Sequence, residues 1–315
     1  MIRGDLDTIP LRHLIDHASE HRVIDFLVIP ILAAFGTSMI VVAASEAGDN
    51  RYLGHYPRPQ IQKGHLMTNP PSILMLATFG MEMVECGGTL AKHVQAGARV
   101  TVAVALPREE AKDQIRAAAR HLGIDDVRFL GWQYGDLHVD RESKRIIMAL
   151  VRDTRPDIVI CQDPEHAAHD LDPDRREFML LYVEALALAG RDVDVAACGD
   201  PHAVDAIYFM TPDRPNCVVE IVDVYHRKEA AMQELRFQLE FSGQSFRRTH
   251  SAERIREVLD DAAADQMSDA EVGWALHRQI DRSAALYHGL YGHSGAVMAE
   301  PYRRMSLFPF ELLPG

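Results

Sequence analysis

Ser72–Pro107, SILMLATFGMEMVECGGTLAKHVQAGARVTVAVALP, holds a complete β-α-β unit. Ile73–Ala77 is an apolar run of strand length. The pattern breaks at Thr78 to Glu85, turns through Gly87-Gly88, and continues as a helix-compatible run ending at Gly97. A second apolar run, Val100 to Leu106, follows at once. Ligands of open parallel sheets sit beyond the carboxyl ends of the strands, so Thr78 to Gly88 is where a site is expected.

The chain downstream repeats this alternation. Glu109 to Leu122 places Ala111, Ile115, Ala118, Ala119 and Leu122 on a helical period closed by Gly123. A strand at Val127 to Leu130 leads into Gly131-Trp132-Gln133-Tyr134-Gly135-Asp136-Leu137. Ser143 to Asp153 reads as a helix and Pro156 to Cys161 as a strand that feeds a long polar loop, Gln162 to Arg176. Val204–Phe209 and Asn216–Val224 read as strands around a Pro212–Pro215 turn, and residues 245 to 298 read as largely helical.

Several separated segments resemble the LmbE/PIG-L family of zinc-dependent N-acetyl-sugar deacetylases. Cys86-Gly87-Gly88-Thr89-Leu90-Ala91 matches the end of the family's first motif. Gly131 to Leu137 resembles its Gly-x-x-Asp-Gly-x-Leu loop, with Tyr134 where an Asp is usual, and Val219 to Met232 resembles its late strand and helix. Ala299 to Arg304 echoes a C-terminal segment. The resemblance implies a Rossmann-like three-layer α/β fold with a mostly parallel sheet over residues 71–315, helical from about 245, behind an N-terminal extension of residues 1–70 that serves packing or assembly.

The same resemblance locates a departure. The family's ligand His falls on Thr78, its general-base Asp on Gly80, its ligand Asp on Met81 and its third ligand on Arg175. None of these is an ordinary zinc ligand, and a guanidinium at Arg175 puts positive charge where a cation would sit. Zinc hydrolysis of the family type is therefore not expected, and no cofactor is expected. Zinc returns only if the site is rebuilt from shifted ligands, for which His166, His169 and Asp170 are the candidates. His166 and His169 are three residues apart, a spacing that puts both on one face of a helical turn.

A metal-free reading remains. Arg175 and Arg176, at the start of a helix, suit a carboxylate or phosphate, and Asp172, Asp174, Glu82 or Glu85 serves as acid or base where burial raises its pKa. Thr78, Gly80, Met81 and Tyr134 then line the substrate pocket with those arginines. The competing reading of Arg175 is an ion pair with Asp172 or Asp174 that fills the vacated hole, and that of Cys86 is packing beneath the loop. Three functions follow: a divergent hydrolase or lyase/hydratase working on a small polar metabolite, a non-catalytic binding or assembly subunit, or, with the rebuilt zinc site, a zinc-dependent N-acetyl-sugar deacetylase with shifted ligands.

Composition narrows the partners. The chain of 315 residues has 33 Lys and Arg against 46 Asp and Glu, a formal charge of −13, and no long basic block. That balance disfavours a nucleic-acid surface. The four cysteines, with no CxxC and no secretory pattern, point to a reduced cytoplasmic protein. Phe26 to Ala44 carries no charge, but Pro30, Gly36 and Thr37-Ser38 split it into two runs too short to span a bilayer. It reads as a buried or oligomer-forming element, so a homo-oligomer is expected. Leu11 to Val23 reads as an amphipathic helix, and His55 and His65 sit in a polar connection.

Overall fold

The computed structural model describes residues 70–285 and 298–305, together with the backbone at 26–29 and 40–43. The chain divides into two units, Met1–Arg58 and Pro59–Gly315. In the first, β1 (Phe26–Ile29) pairs antiparallel with β2 (Ile40–Ala43), one strand from each half of the apolar run. The helix expected over 11–23, His55 and His65 lie outside the described residues.

The second unit is built on a seven-stranded sheet. Its strands are β3 (Ser72–Ala77), β4 (Arg99–Val104), β5 (Asp126–Phe129), β6 (Ile158–Gln162), β7 (Ala206–Met210), β8 (Cys217–Glu220) and β9 (Ala299–Met305), in the order β5-β4-β3-β6-β7-β9-β8. β3 to β7 are parallel throughout, and β9 runs antiparallel to both of its neighbours. Eleven helices are described: α1 (Met81–Glu85), α2 (Gly87–Gln95), α3 (Lys112–Leu122), α4 (Arg141–Thr154), α5 (Pro164–Ala167), α6 (Pro173–Ala189), α7 (Val195–Cys198), α8 (Tyr225–Glu234), α9 (Arg236–Thr249), α10 (Ala252–Leu259) and α11 (Asp269–Ala285).

Strand alternation sorts the core into two layers. Ile73, Met75 and Ala77 of β3 join Val100, Val102 and Val104 of β4 on one face, under α1, α2, α3 and α8. Leu74 and Leu76 join Ala103, Val159 and Phe209 on the other, under α4 and α6. Side chains that alternate direction along a strand buried on both faces give the continuous apolar runs seen in the sequence. The expected three-layer fold is present, and the described residues 245–285 are largely helical.

One local expectation needs correction. Thr78 to Glu85 is not an extended loop with a turn at Gly87-Gly88: α1 begins at Met81, and Gly87-Gly88 form the first turn of α2. The amino end of α2 is held by the buried carboxylate of Glu300, which accepts from Gly88 N at 2.9 Å and Thr89 N at 2.8 Å. A carboxylate facing the positive end of a helix satisfies its open amides and overrides the turn signal of two glycines.

The C-terminal helices close against one another through glycine. A Cβ on Gly243 of α9 would lie 1.9 Å from Asp269 O, and one on Gly273 of α11 would lie 2.0 Å from Leu239 O. The two backbones therefore touch, which no larger residue permits. This crossing seats α9 beside the carboxyl edge of the sheet, where it forms one wall of the cleft described next.

Candidate active site

The cleft lies beyond the carboxyl ends of β3, β4 and β5 and encloses about 240 Å³. Five of the residues singled out from the sequence line it: Gly80, Met81, Tyr134, Asp172 and Arg175. Thr78, Glu82, Asp174 and Arg176 lie outside that lining. The rest of the wall is Phe79, Arg108, Ala111, Gln114 and Ile115 from the first half of the domain, and Leu235, Phe237, Gln238 and Phe241 around the start of α9.

Each carboxylate near the cleft has a definite local task. Glu82 is 3% exposed and accepts from Gly80 N at 2.9 Å and Phe79 N at 3.2 Å, which closes the strand-to-helix turn. Asp174 accepts from Gly135 N at 3.0 Å and so ties the Gly131–Leu137 loop to α6. Asp172 is the N-cap of α6, with Oδ1 accepting from Arg175 N at 3.2 Å. Asp172 alone of the three lines the cleft, and among the described residues its Oδ2 has no hydrogen-bond donor.

Arg175 does not pair with Asp172 or Asp174. Its guanidinium lies 3.4 Å from Asp170 Oδ2 and 4.0 Å from Glu82 Oε1, with Cζ 5.2 Å from the centre of the Phe79 ring. The reason is the N-cap geometry, which turns the Asp172 and Asp174 carboxylates onto backbone amides. Arg176 Nη1 donates to the Asp170 carbonyl. Tyr134 is half-exposed and stacks on Phe79 with ring centres 5.8 Å apart and planes 12° apart.

The residues that the resemblance places at the metal positions do not fit zinc. Thr78 is 1% exposed, and its Oγ1 has no partner. Gly80 has φ +103°, and a Cβ there would lie 2.6 Å from Ile115 Cδ1, so an acidic side chain has no room without displacing Ile115. Met81 is buried, and Arg175 brings a fixed positive charge. His166 instead bonds Asp213 at 2.9 Å, His169 lies past the end of α5, and Asp170 engages Arg175. Among the described residues no three His, Cys, Asp or Glu side chains gather as a metal site requires.

A second cavity of about 520 Å³ lies across α1, lined by Glu85, Cys86, His166, Lys228, Asp281 and Glu300 among others. Lys228 Nζ is fully engaged, by Glu85 O at 2.7 Å, Asp281 Oδ1 at 2.9 Å and Glu300 Oε1 at 3.0 Å. Cys86 packs beneath the loop, 3.6 Å from Met75 Sδ, and burial pushes its thiol well up. Burial first, and then the Glu82 charge, push the Glu85 carboxyl up to about 7.

That shift fixes a pH dependence. An unfolded Glu releases its proton near 4.5 and the folded one near 7, so the folded state gains from holding the proton below 4.5 and loses that gain as pH rises through 7. Glu85→Gln, which cannot ionise, is expected to be more stable than the parent at pH 8 by on the order of 3 kcal/mol, a gap that narrows towards pH 5. Melting temperatures of both proteins at the two pH values check this. An equal gap at both would assign the ionisation elsewhere.

The sequence did not single out Arg108, Gln114, Phe237, Gln238 or Phe241. Arg108 follows β4 directly, so the strand-end rule that pointed to Thr78–Gly88 reaches it as well. The α9 residues arrive by helix packing from a distant part of the chain and carry no local signal.

An α/β domain with its cleft at the carboxyl edge of a parallel sheet defines the class. Residues 82–174 match the family model described as PIG-L, GlcNAc-PI de-N-acetylase. Diacetylchitobiose deacetylase of Thermococcus kodakarensis is 27% identical over 186 residues, 58% of this chain and 58% of that protein. The match thus spans under two thirds of the relative's length. Two solved structures share the fold. N,N'-diacetylchitobiose deacetylase from Pyrococcus horikoshii has a TM-score of 0.56 at 20% identity, covering 76% of this chain and 86% of that one. GalB, the 4-carboxy-2-hydroxymuconate hydratase of Pseudomonas putida KT2440, has a TM-score of 0.54 at 18% identity, covering 78% and 100%.

Proposed function

We propose that the chain is an enzyme on the PIG-L scaffold that acts on a small polar metabolite by metal-free acid–base chemistry, as a hydrolase or a lyase/hydratase. The observation that carries this reading is an open cleft, at the carboxyl edge of the sheet, that joins the Asp172 carboxylate to the Arg175 guanidinium. Arg175 orients the substrate and stabilises negative charge that develops on it, as a cation fixed in position before the reaction does. Asp172, through its uncapped oxygen, takes a proton from water or substrate and returns it once the bond has formed or broken. Glu82 and Asp174 act indirectly: they hold the two loops that carry Phe79 and Tyr134. Thr78, Gly80, Met81 and Tyr134 shape the wall, and Arg176 fixes the loop that precedes α6.

Amide cleavage and water addition both need a base beside an electrophilic carbon, so the curated deacetylase relative is compatible with either reaction class. Residues 1–70 serve packing or self-assembly in this reading. The four free thiols, Cys86, Cys161, Cys198 and Cys217, suit a reducing, cytoplasmic setting. No described helix is long and apolar enough to cross a membrane.

The competing reading, a non-catalytic binding or assembly subunit, draws on the contacts of Arg175 with Glu82 and Asp170, which partly occupy the vacated hole. Turnover decides between them. Chelator-treated protein is expected to turn over at least one member of a panel of small acids, amides and N-acetylated compounds, with no gain when zinc is restored. Turnover that appears only with zinc overturns the metal-free site, and no turnover with or without zinc favours the subunit.

A further inference from the structure

The cleft carries more positive than negative charge: Arg108 and Arg175 line it with one carboxylate residue, Asp172. Neither arginine is saturated. Elsewhere in the molecule Arg303 grips Asp163 in a two-bonded pair at 2.6 and 2.7 Å, the geometry of a satisfied guanidinium. Arg175 has nothing comparable. Its carboxylate contacts are at 3.4 and 4.0 Å, and its buried Nε has no partner. Arg108, exposed at the rim, has no carboxylate partner among the described residues; its one hydrogen bond goes to Tyr134 OH at 3.4 Å.

Aromatic rings hold both cations. Arg108 Cζ lies 4.5 Å from the Phe237 ring centre and Arg175 Cζ 5.2 Å from that of Phe79. A ring that takes the face of a guanidinium leaves its in-plane N–H donors for another partner, and a carboxylate matches that fork. Of the two amide side chains in the wall, Gln114 has its carbonyl taken by Phe237 N at 3.0 Å.

We propose that the substrate of this cleft is a small flat carboxylic acid, aromatic or unsaturated, whose carboxylate is held by Arg108 and Arg175 and whose apolar part lies against Phe79 and Tyr134. A cleft of about 240 Å³ takes roughly eight non-hydrogen atoms, at about 30 Å³ each by the volume a water occupies in the liquid. This deepens the proposed function and rests on the same cleft.

The test is calorimetric binding of benzoate and of its neutral isostere benzamide to the full chain. Benzoate is expected to bind, benzamide at least about tenfold more weakly, and Arg108→Met or Arg175→Met to weaken benzoate about ten- to hundredfold without changing benzamide. Arg108 is exposed, so Arg108→Met keeps the test valid if Arg175→Met fails to fold. Equal binding of benzamide and benzoate, no binding of benzoate, or unchanged benzoate affinity in the folded variants overturns the proposal. Binding is read without turnover, so the two readings fail separately. Benzoate bound by an inactive protein sinks the enzyme reading alone, and turnover of neutral compounds with no acid bound sinks this one alone.

Discussion

Asp172→Asn is expected to lower turnover of the identified substrate by about 10²- to 10⁴-fold, the usual contribution of a positioned acid or base, and to leave the fold untouched. The second half of that expectation comes from the N-cap. Asp172 begins α6 by accepting from Arg175 N, and Asn caps a helix as well as Asp does, so the melting temperature should stay within about 2 °C. What Asn cannot do is accept and return a proton. It also removes a negative charge beside two guanidiniums, so the binding of an acid should hold or tighten while kcat falls. Steady-state kinetics separate these effects. An Asp172→Asn enzyme with kcat within a few-fold of the parent would show that Asp172 only caps the helix, and would move the search for the base across α1 to Glu85.

Lys228→Met is expected to cost about 3–5 kcal/mol of stability, the range for removing one partner of a buried ionic group. Lys228 is 2% exposed, and its three donors are matched by Glu85 O, Asp281 and Glu300. Without it, Glu300 remains buried with its charge, although Gly88 N, Thr89 N and Tyr302 OH still reach it. At roughly 2–4 °C per kcal/mol for a domain of this size, the melting temperature should fall by about 6–20 °C. Adding Glu300→Gln should recover part of the loss by removing the stranded charge. A fall of less than about 1 kcal/mol would mean that water reaches the cavity readily and that the network contributes little.

The contrast between these two residues explains how much the sequence disclosed. The fold was legible because strands buried on both faces leave unbroken apolar runs, as at Ile73–Ala77 and Val100–Leu106, and amphipathic helices between them leave a helical period, as at Ile115, Ala118 and Leu122. The first loop was less so. Thr78 to Glu85 read as a break in the pattern, yet Met81 to Glu85 form a short helix, and Gly87-Gly88 read as a turn because the carboxylate that makes them a helix start, Glu300, is far along the chain. The competing reading of Arg175 named other partners for a related reason: the nearest acids in sequence, Asp172 and Asp174, accept from backbone amides instead. Arg108 lay within reach of the strand-end rule, whereas Phe237 and Phe241 depend on α9 packing against α11 backbone to backbone. That contact is set by Gly243 and Gly273, and neither glycine reports its partner.

The central proposal is that this cleft works without a metal, because Thr78, Gly80, Met81 and Arg175 stand where the resemblance puts the ligands and the base. Zinc stoichiometry measured by plasma mass spectrometry, on tag-free protein incubated with zinc and then passed through gel filtration, tests it most directly. Zinc well below one atom per chain is predicted, since a site without ligands loses most of its affinity. Close to one atom per chain would contradict the account and make His166, His169 and Asp170 the first residues to replace.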